Sequence, residues 1–346
     1  MGFHRKHWQS REMSLAALIA IILGVSLTFY ATLAGADFGA GLLDLVAGKR
    51  GPDREAIAAT IGPLWEANHV WLIFSITILF SAFPPAFSAL GTALLAPFTI
   101  ALLAIVLRSV ALGLRASPGA QARSQVLLGR LFAAASLLAP FALASPAGGL
   151  AQASSGSGAA PGTVPAIPWH GPLALVVGAL AVALCAQLAA SFVTLKLAHL
   201  GEDRITERFR RRGLQSGACV SLLSVLALAT AAASAPALWH RLIGAALPIV
   251  IAGLATAALS LLALAARRYG VARGATLATA AAVLWGWFVA QAPHLIGARL
   301  TIHTAAATHA ALAAIAVAGG VVLLLVLPAI YLLFSIFARP VLEVVE

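Results

Sequence analysis

The sequence contains little charge and very few acids. Only 10% of its 346 residues are Asp, Glu, Lys or Arg, 61% are hydrophobic, and the mean hydropathy is +0.98. A soluble domain could not cover that much apolar surface with polar side chains, so soluble protein classes are excluded. The two cysteines, Cys185 and Cys219, lie far apart in apolar segments. This excludes a disulfide framework or a thiolate metal site and predicts two buried structural thiols.

Signatures of a self-contained active site are also missing. The sequence has no Walker loop, no HExxH motif and no nucleophile elbow. His294, His303 and His309 are spaced by nine and six residues, which matches no metal-ligand pattern, so we expect solvated or hydrogen-bonded histidines and no metal site. Lysines and arginines in loops beside anionic membrane lipid account for most of the net charge of +11, which needs no nucleic acid to explain it.

Long apolar segments predict an all-α integral membrane protein with about nine transmembrane helices. Such segments must be helical, because lipid offers no hydrogen-bond partner to an unpaired backbone. We expect an extracytoplasmic segment at 1–13, a transmembrane domain at 14–337 and a cytoplasmic tail at 338–346. The predicted spans are 14–39, 62–83, 90–114, 125–146, 170–196, 214–234, 238–266, 273–292 and 305–337.

The distribution of basic residues predicts the orientation. Fifteen Lys and Arg residues fall in connections on one side of the predicted spans and five on the other. The positive-inside rule therefore places the N-terminus outside and the C-terminus in the cytoplasm. The longest external connection, 145–170, is rich in Gly, Ala, Ser and Pro, and it is predicted to be a flexible loop that divides four helices from five.

Two acids stand out because carboxylates at membrane depth usually mark a proton or ion path. Asp37 lies near the end of the first predicted span, and it either admits protons or extends to the interface. Asp44, seven residues on, is expected to be a solvated loop acid or a cap. Arg108, in the third span, is expected to extend to the interface, although it could instead neutralise Asp37 or Glu66; the sequence leaves the pairing open.

Glu66, the second acid, precedes His69 by three residues, so a helix would place both on one face. Such a pair could pass protons, or the two side chains could simply pair with each other at the start of the helix. Trp65 and Trp71 flank the two residues and are as well explained by interfacial anchoring and core filling as by a specific role.

Three motifs resemble subunit II of the cytochrome bd quinol oxidases. They are GADFGAGLLDL (35–45), IGPLWEANHVWLIFSITILFSAFPPAFSAL (61–90) and RSVALGLR (108–115). The stretches TLKLAHLGEDRITERFR (194–210) and QAPHLIGARLTIHTAAATHAAL (291–312) agree more loosely. The acidic Trp-x-x-Asn-x-x-Trp-Leu run is the most specific part, and the resemblance covers nearly the whole chain.

The resemblance implies two four-helix bundles plus one peripheral helix, located in the bacterial cytoplasmic membrane. It also implies a partner, a subunit I that carries haem b and haem d, oxidises quinol and reduces oxygen to water. This chain would then be the non-haem subunit of a quinol:oxygen oxidoreductase and would not be catalytic alone. A small accessory subunit and a bound quinone or lipid stay open.

The same resemblance assigns roles to individual residues. Asp37 matches the second acid of the first motif, and Glu66 matches the carboxylate credited with proton uptake from the cytoplasm. Trp71 matches the second motif Trp, near the route proposed for oxygen, and Trp65 the first. His69 stands where the family has Glu or Gln, and Ala34 and Gly113 replace motif acids. We therefore expect a divergent member in which His69 takes over part of the proton path.

Two other functions remain open at this point. The same acids could serve a proton-coupled membrane transporter, although no Gly- or Pro-broken apolar segments are arranged as a substrate site. Alternatively, the chain could be a purely structural assembly subunit.

Overall fold

The structure is a computed structural model that describes residues 2–46, 51–116, 122–155, 167–297 and 300–337. Side chains are described for fewer positions, and those of residues 61–67 are not among them. The helices, in chain order, are α1 (Gly2–Val46), α2 (Pro52–Ala82), α3 (Pro84–Ala93), α4 (Leu95–Ala116), α5 (Ala122–Ser155), α6 (Pro172–His199), α7 (Asp203–Ser234), α8 (Pro236–Leu242), α9 (Leu247–Ala265), α10 (Tyr269–Gln291) and α11 (His309–Phe337).

The described helices confirm an all-α, multi-pass membrane protein. Eight of them are long and apolar enough to cross a membrane, and a ninth span results if the bent pair Asn68–Ala82 and Pro84–Ala93 is counted as one. Between α10 and α11, a short antiparallel hairpin pairs β1 (His294–Ile296) with β2 (Leu300–Thr301).

Prolines mark the points where consecutive helices break. The chain bends by 117° between α2 and α3, where Phe83 is followed by Pro84 and Pro85. The predicted span 238–266 is divided into α8 and α9, each with a proline in its first turn. Proline lacks an amide hydrogen and is tolerated in the first turn of a helix, so it favours a new helix start at these points.

The predicted flexible loop at 145–170 starts eleven residues too early, because α5 continues to Ser155. Its small residues serve close packing: a Cβ on Gly148 would meet the backbone of Ala174 in α6, and one on Gly149 would meet Ile167. The indole of Trp287 donates a hydrogen bond to the Ala147 carbonyl at 3.1 Å. The small residues at this end of α5, whose composition is typical of a linker, therefore allow close contact between helices.

Two groups of helices pack around the central pair α1 and α6. In the first half α1 contacts α2 and α5, and α4 contacts α5; in the second half α6 contacts α7 and α10, and α9 contacts α7 and α10. Helix α11 lies against α1 and α2. The contact between α1 and α6 needs glycine, since a Cβ on Gly39 would overlap the Cys185 carbonyl and one on Gly35 would overlap Leu188.

The prediction of two buried thiols is half right. Cys185 is buried beneath α1, whereas Cys219 is exposed. It sits on α7, a helix with an apolar outer face that also exposes Leu222 and Val225. Hydrophobicity in a membrane protein indicates depth but does not distinguish the core from the lipid-facing surface.

Candidate functional site

A buried ion pair joins the first acid to the arginine of α4. Arg108 Nη1 donates to Asp37 Oδ2 at 2.8 Å, and its Nη2 donates to Oδ1 and to the Asp37 carbonyl oxygen, the latter also at 2.8 Å. Both residues are only 3% exposed. Such a bidentate, fully hydrogen-bonded geometry is the one in which two buried charges compensate each other best.

The pair is completed by residues from two more helices. Asn68 of α2 donates its side-chain amide to Asp37 Oδ2 at 3.1 Å. Arg108 Nε donates to Ser136 Oγ of α5 at 2.9 Å, and Ser136 in turn donates to the Phe132 carbonyl at 2.7 Å. The cluster formed by Asp37, Asn68, Arg108 and Ser136, called here the polar cluster, therefore fixes α1, α2, α4 and α5 at one level.

Aromatic rings close the polar cluster on two sides. The Arg108 guanidinium lies over the Phe132 ring, 4.9 Å from its centroid, and 5.3 Å from the centroid of Phe38. These contacts add cation–π attraction to the buried guanidinium group. The expectation that Arg108 extends to the interface is wrong, because Asp37, Ser136 and the two rings satisfy its guanidinium inside the protein.

A small cavity borders the polar cluster. It has a volume of about 10 Å³ and is lined by Tyr30, Asp37, Phe38, Asn68, His69, Leu72, Ile105 and Arg108. This is close to the smallest space that holds one water molecule, and the polar groups around it could hydrogen-bond such a water. The cavity brings His69 together with Asp37, which the sequence could not establish.

A second acid–base layer follows two helical turns along α1. Asp44 Oδ1 lies 2.7 Å from Arg54 Nε, and its Oδ2 accepts a hydrogen bond from Arg115 Nη1 at 2.9 Å. Asp44 is only 6% exposed and belongs to α1. The expectation of a solvated loop acid or cap is therefore wrong, because α1 continues past the predicted end of its span and α4 supplies a partner.

A third layer connects the first half of the chain to the second. Asp53 Oδ1, at the start of α2, lies 2.7 Å from Arg208 Nη2, and its Oδ2 lies 3.4 Å from Arg212 Nη2. Both arginines belong to α7. The three acids of these layers, Asp37, Asp44 and Asp53, lie on α1 and α2, and their arginine partners lie on α2, α4 and α7.

The spacing of the first two layers is a signal in the sequence. Asp37 and Asp44 are seven residues apart, and so are Arg108 and Arg115, so each acid is 71 positions from its arginine. The chain crosses the membrane once between α1 and α4, so these two helices run in the same direction. Seven residues make about two turns of each helix. Matching heptad spacings could thus have predicted both pairs, whereas Ser136 gave no such signal.

The remaining predicted site residues lie on α2. Glu66 and Trp65 occupy its middle, and their side chains lie outside the described part of the chain. His69 is partly buried and lines the cavity. Trp71 is fully buried and stacks on Phe29 with centroids 4.5 Å apart, so it fills the core and does not anchor at the membrane–water interface.

The histidines near the hairpin lie in the hairpin, in the turn after it and at the start of α11. Among the residues that the structure describes, no group of three or more His, Cys, Asp or Glu side chains could hold a metal ion. His303 lies in a turn, where its backbone amide donates a hydrogen bond to Thr301 Oγ1 at 3.3 Å. His309 begins α11.

Comparison with protein families gives a match across most of the chain. The family model described as "Cytochrome bd terminal oxidase subunit II" matches residues 15–337. A solved structure, "The structure of bd oxidase from Geobacillus thermodenitrificans", aligns with a TM-score of 0.75 and 21% identity over 94% of this chain and 98% of that chain. At that identity the likeness shows a shared fold.

Curated relatives match over shorter stretches. "Cytochrome bd ubiquinol oxidase subunit 2" of Bacillus subtilis (strain 168) is 36% identical over 102 residues, which is 30% of this chain and 30% of the relative. "Putative cytochrome bd menaquinol oxidase subunit II" of the same organism is 37% identical over 105 residues, 28% of this chain and 29% of the relative. "Cytochrome bd-I ubiquinol oxidase subunit 2" of Escherichia coli (strain K12) is 35% identical over 69 residues, 20% of this chain and 18% of the relative. The matched stretches span less than a third of each relative.

Proposed function

The chain belongs to the cytochrome bd terminal oxidase subunit II family, and from this we propose that it is the non-haem subunit of a quinol oxidase in the bacterial cytoplasmic membrane. A subunit I that carries haem b and haem d would oxidise quinol and reduce oxygen to water. This chain would support that subunit and contribute a proton-uptake path from the cytoplasm. Quinol and oxygen are then substrates of the complex, and Trp71 and Trp65 lie near the oxygen route or the subunit interface.

The observation that supports the proton path is the position of Asn68, the residue that α2 contributes to the polar cluster. Asn68, whose side-chain amide donates a hydrogen bond to Asp37, lies two residues after Glu66 and one before His69. A carboxylic acid and an imidazole on one helical face can both bind and release protons, and the cavity beside His69 has room for a relaying water. We propose that Glu66 takes up the proton and that His69 passes it on.

Asp37 serves this path in a different way from Glu66. Its two carboxylate oxygens accept hydrogen bonds from Arg108 and Asn68, and it lines the cavity. Moving a proton onto Asp37 would leave Arg108 as an uncompensated buried charge, which is costly. We therefore propose that Asp37 acts as the fixed charge that sets the position of α2, with the proton carried by its neighbours.

The first experiment identifies the complex. The gently solubilised, affinity-tagged chain is purified, its reduced-minus-oxidised visible spectrum is recorded, and co-purifying subunits are identified by mass. Haem b and haem d bands with a larger partner are expected. A haem-free chain that purifies alone from cells expressing the neighbouring genes would contradict the proposal and favour a transporter.

A structural assembly subunit is the second candidate, and the three acid–base layers favour it. They bind α1, α2, α4 and α7 to one another through partly or fully buried ion pairs. A complex with Glu66→Gln separates the two functions, because a scaffold without a proton path would assemble and turn over normally.

A further inference from the structure

Arginines are concentrated where α7 begins and α9 ends. Glu207 accepts hydrogen bonds from Arg210 at 2.8 and 2.9 Å and from Arg211 at 3.1 Å. Arg267 Nη2 lies 3.7 Å from Glu207 Oε2, beyond hydrogen-bond distance. Three guanidinium groups thus share one carboxylate, which leaves a surplus of two positive charges within a few ångströms.

Arg267 adopts a backbone conformation that favours glycine. Its φ is 60°, and within the described ranges it is the one non-glycine residue with a positive φ. Arg268 N donates to the Ala263 carbonyl at 2.8 Å and Arg267 N to the Leu264 carbonyl at 3.2 Å, the pattern that ends many helices with glycine. Glycine would close α9 with less strain. An arginine here is therefore better explained by its side chain than by the fold.

Exposed apolar side chains lie within one or two helical turns of Arg267 along the chain. Leu262, in the last turns of α9, is 67% exposed, and Val271, in the first turn of α10, is 48% exposed. Arg211 and Arg267 are 73% and 70% exposed. Free phosphate would use only the guanidinium groups, whereas a phospholipid has both an anionic headgroup and acyl chains for the apolar side chains.

We propose that Arg211 and Arg267 bind the phosphate of an anionic phospholipid, with Leu262 and Val271 against its acyl chains. Each guanidinium lies within 4 Å of an oxygen of the same carboxylate, so one phosphate can reach both. Glu207 holds Arg210 and Arg211 in place and prevents their mutual repulsion. The site is independent of the oxidase function and of the polar cluster in the first half.

Arg267→Gly separates binding from folding. The purified chain, with any subunits that accompany it, is titrated in detergent with phosphatidylglycerol, with phosphatidylcholine and with inorganic phosphate, and the unfolding midpoint is followed by tryptophan fluorescence. Wild type is expected to gain stability with phosphatidylglycerol alone. Arg267→Gly is expected to unfold at the same or a higher midpoint without lipid and to need about fivefold more phosphatidylglycerol for the same shift.

Two further variants complete the test. Arg211→Gln plus Arg267→Gly should weaken the response about 25-fold, since two charges are removed. Arg130→Gln, which alters an exposed arginine of α5, is the matched control and should respond as wild type. An unchanged response of Arg267→Gly, or a lower midpoint for it without lipid, overturns the proposal. An equal shift with inorganic phosphate overturns the lipid as ligand.

Discussion

The two halves of the helical array join their buried helices with different kinds of polar side chain. In the first half a bidentate Asp37–Arg108 pair crosses the buried centre. In the second half the corresponding centre holds uncharged groups: Gln187 donates to Ser260 at 3.0 Å, and Ser260 and Thr276 share a hydrogen bond of 2.7 Å. Uncharged hydrogen bonds suffice to join membrane helices. Among the described residues, the buried charged side chains all lie in the first half, on α1, α2 and α4, which points to a role beyond packing.

The largest expected effect comes from breaking the ion pair. Arg108→Leu leaves the Asp37 carboxylate buried without compensation, and we expect a loss of about 3–5 kcal/mol in stability, with little assembled protein. Asp37→Asn plus Arg108→Gln, which removes both charges, should recover much of the loss. Thermal unfolding of the purified variants measures both.

Arg115→Leu is the matched control on the same helix. Its partner Asp44 keeps Arg54, and Arg115 is partly exposed, so the loss should be about 1 kcal/mol or less. Equal losses for Arg108→Leu and Arg115→Leu would contradict the special burial of the first pair.

Proton transfer should also be confined to the first half. Glu66→Gln removes the titrating group, and we expect the assembled complex to lose at least about tenfold in quinol-driven oxygen consumption. Glu66→Asp, which keeps a carboxyl group at this position, should retain most of the activity. Full turnover of the Glu66→Gln complex would favour the scaffold function.

The smallest effect is expected in the second half. Gln187→Leu removes a hydrogen bond to Ser260, but Gln187 Oε1 has no hydrogen-bond partner among the described residues. The loss in stability should be about 1 kcal/mol or less, without a change in turnover. A loss as large as that of Arg108→Leu would remove the contrast between the halves.

The comparison also shows what the sequence could predict. Apolar runs of about 20 residues gave the spans, since lipid leaves the backbone no alternative to the helix. They gave the end of the second span at 83, but not the division of 238–266 into α8 and α9 or the helical continuation to Ser155, because proline placement and Gly148 packing decide these locally. The position of Asp37 within the first apolar segment was readable from the sequence. The side from which α4 approaches Asp37 was not, although the shared heptad spacing gave a clue.

The most direct test of the division of work between Glu66 and Asp37 is the quinol-driven oxygen consumption of two assembled complexes. One carries Asp37→Asn plus Arg108→Gln, and the other carries Glu66→Gln. If Asp37 is a fixed charge and Glu66 carries the proton, the double variant should stay within about threefold of wild type while Glu66→Gln falls at least about tenfold. An assembled double variant that falls as far as Glu66→Gln would contradict this account and make Asp37 a proton carrier.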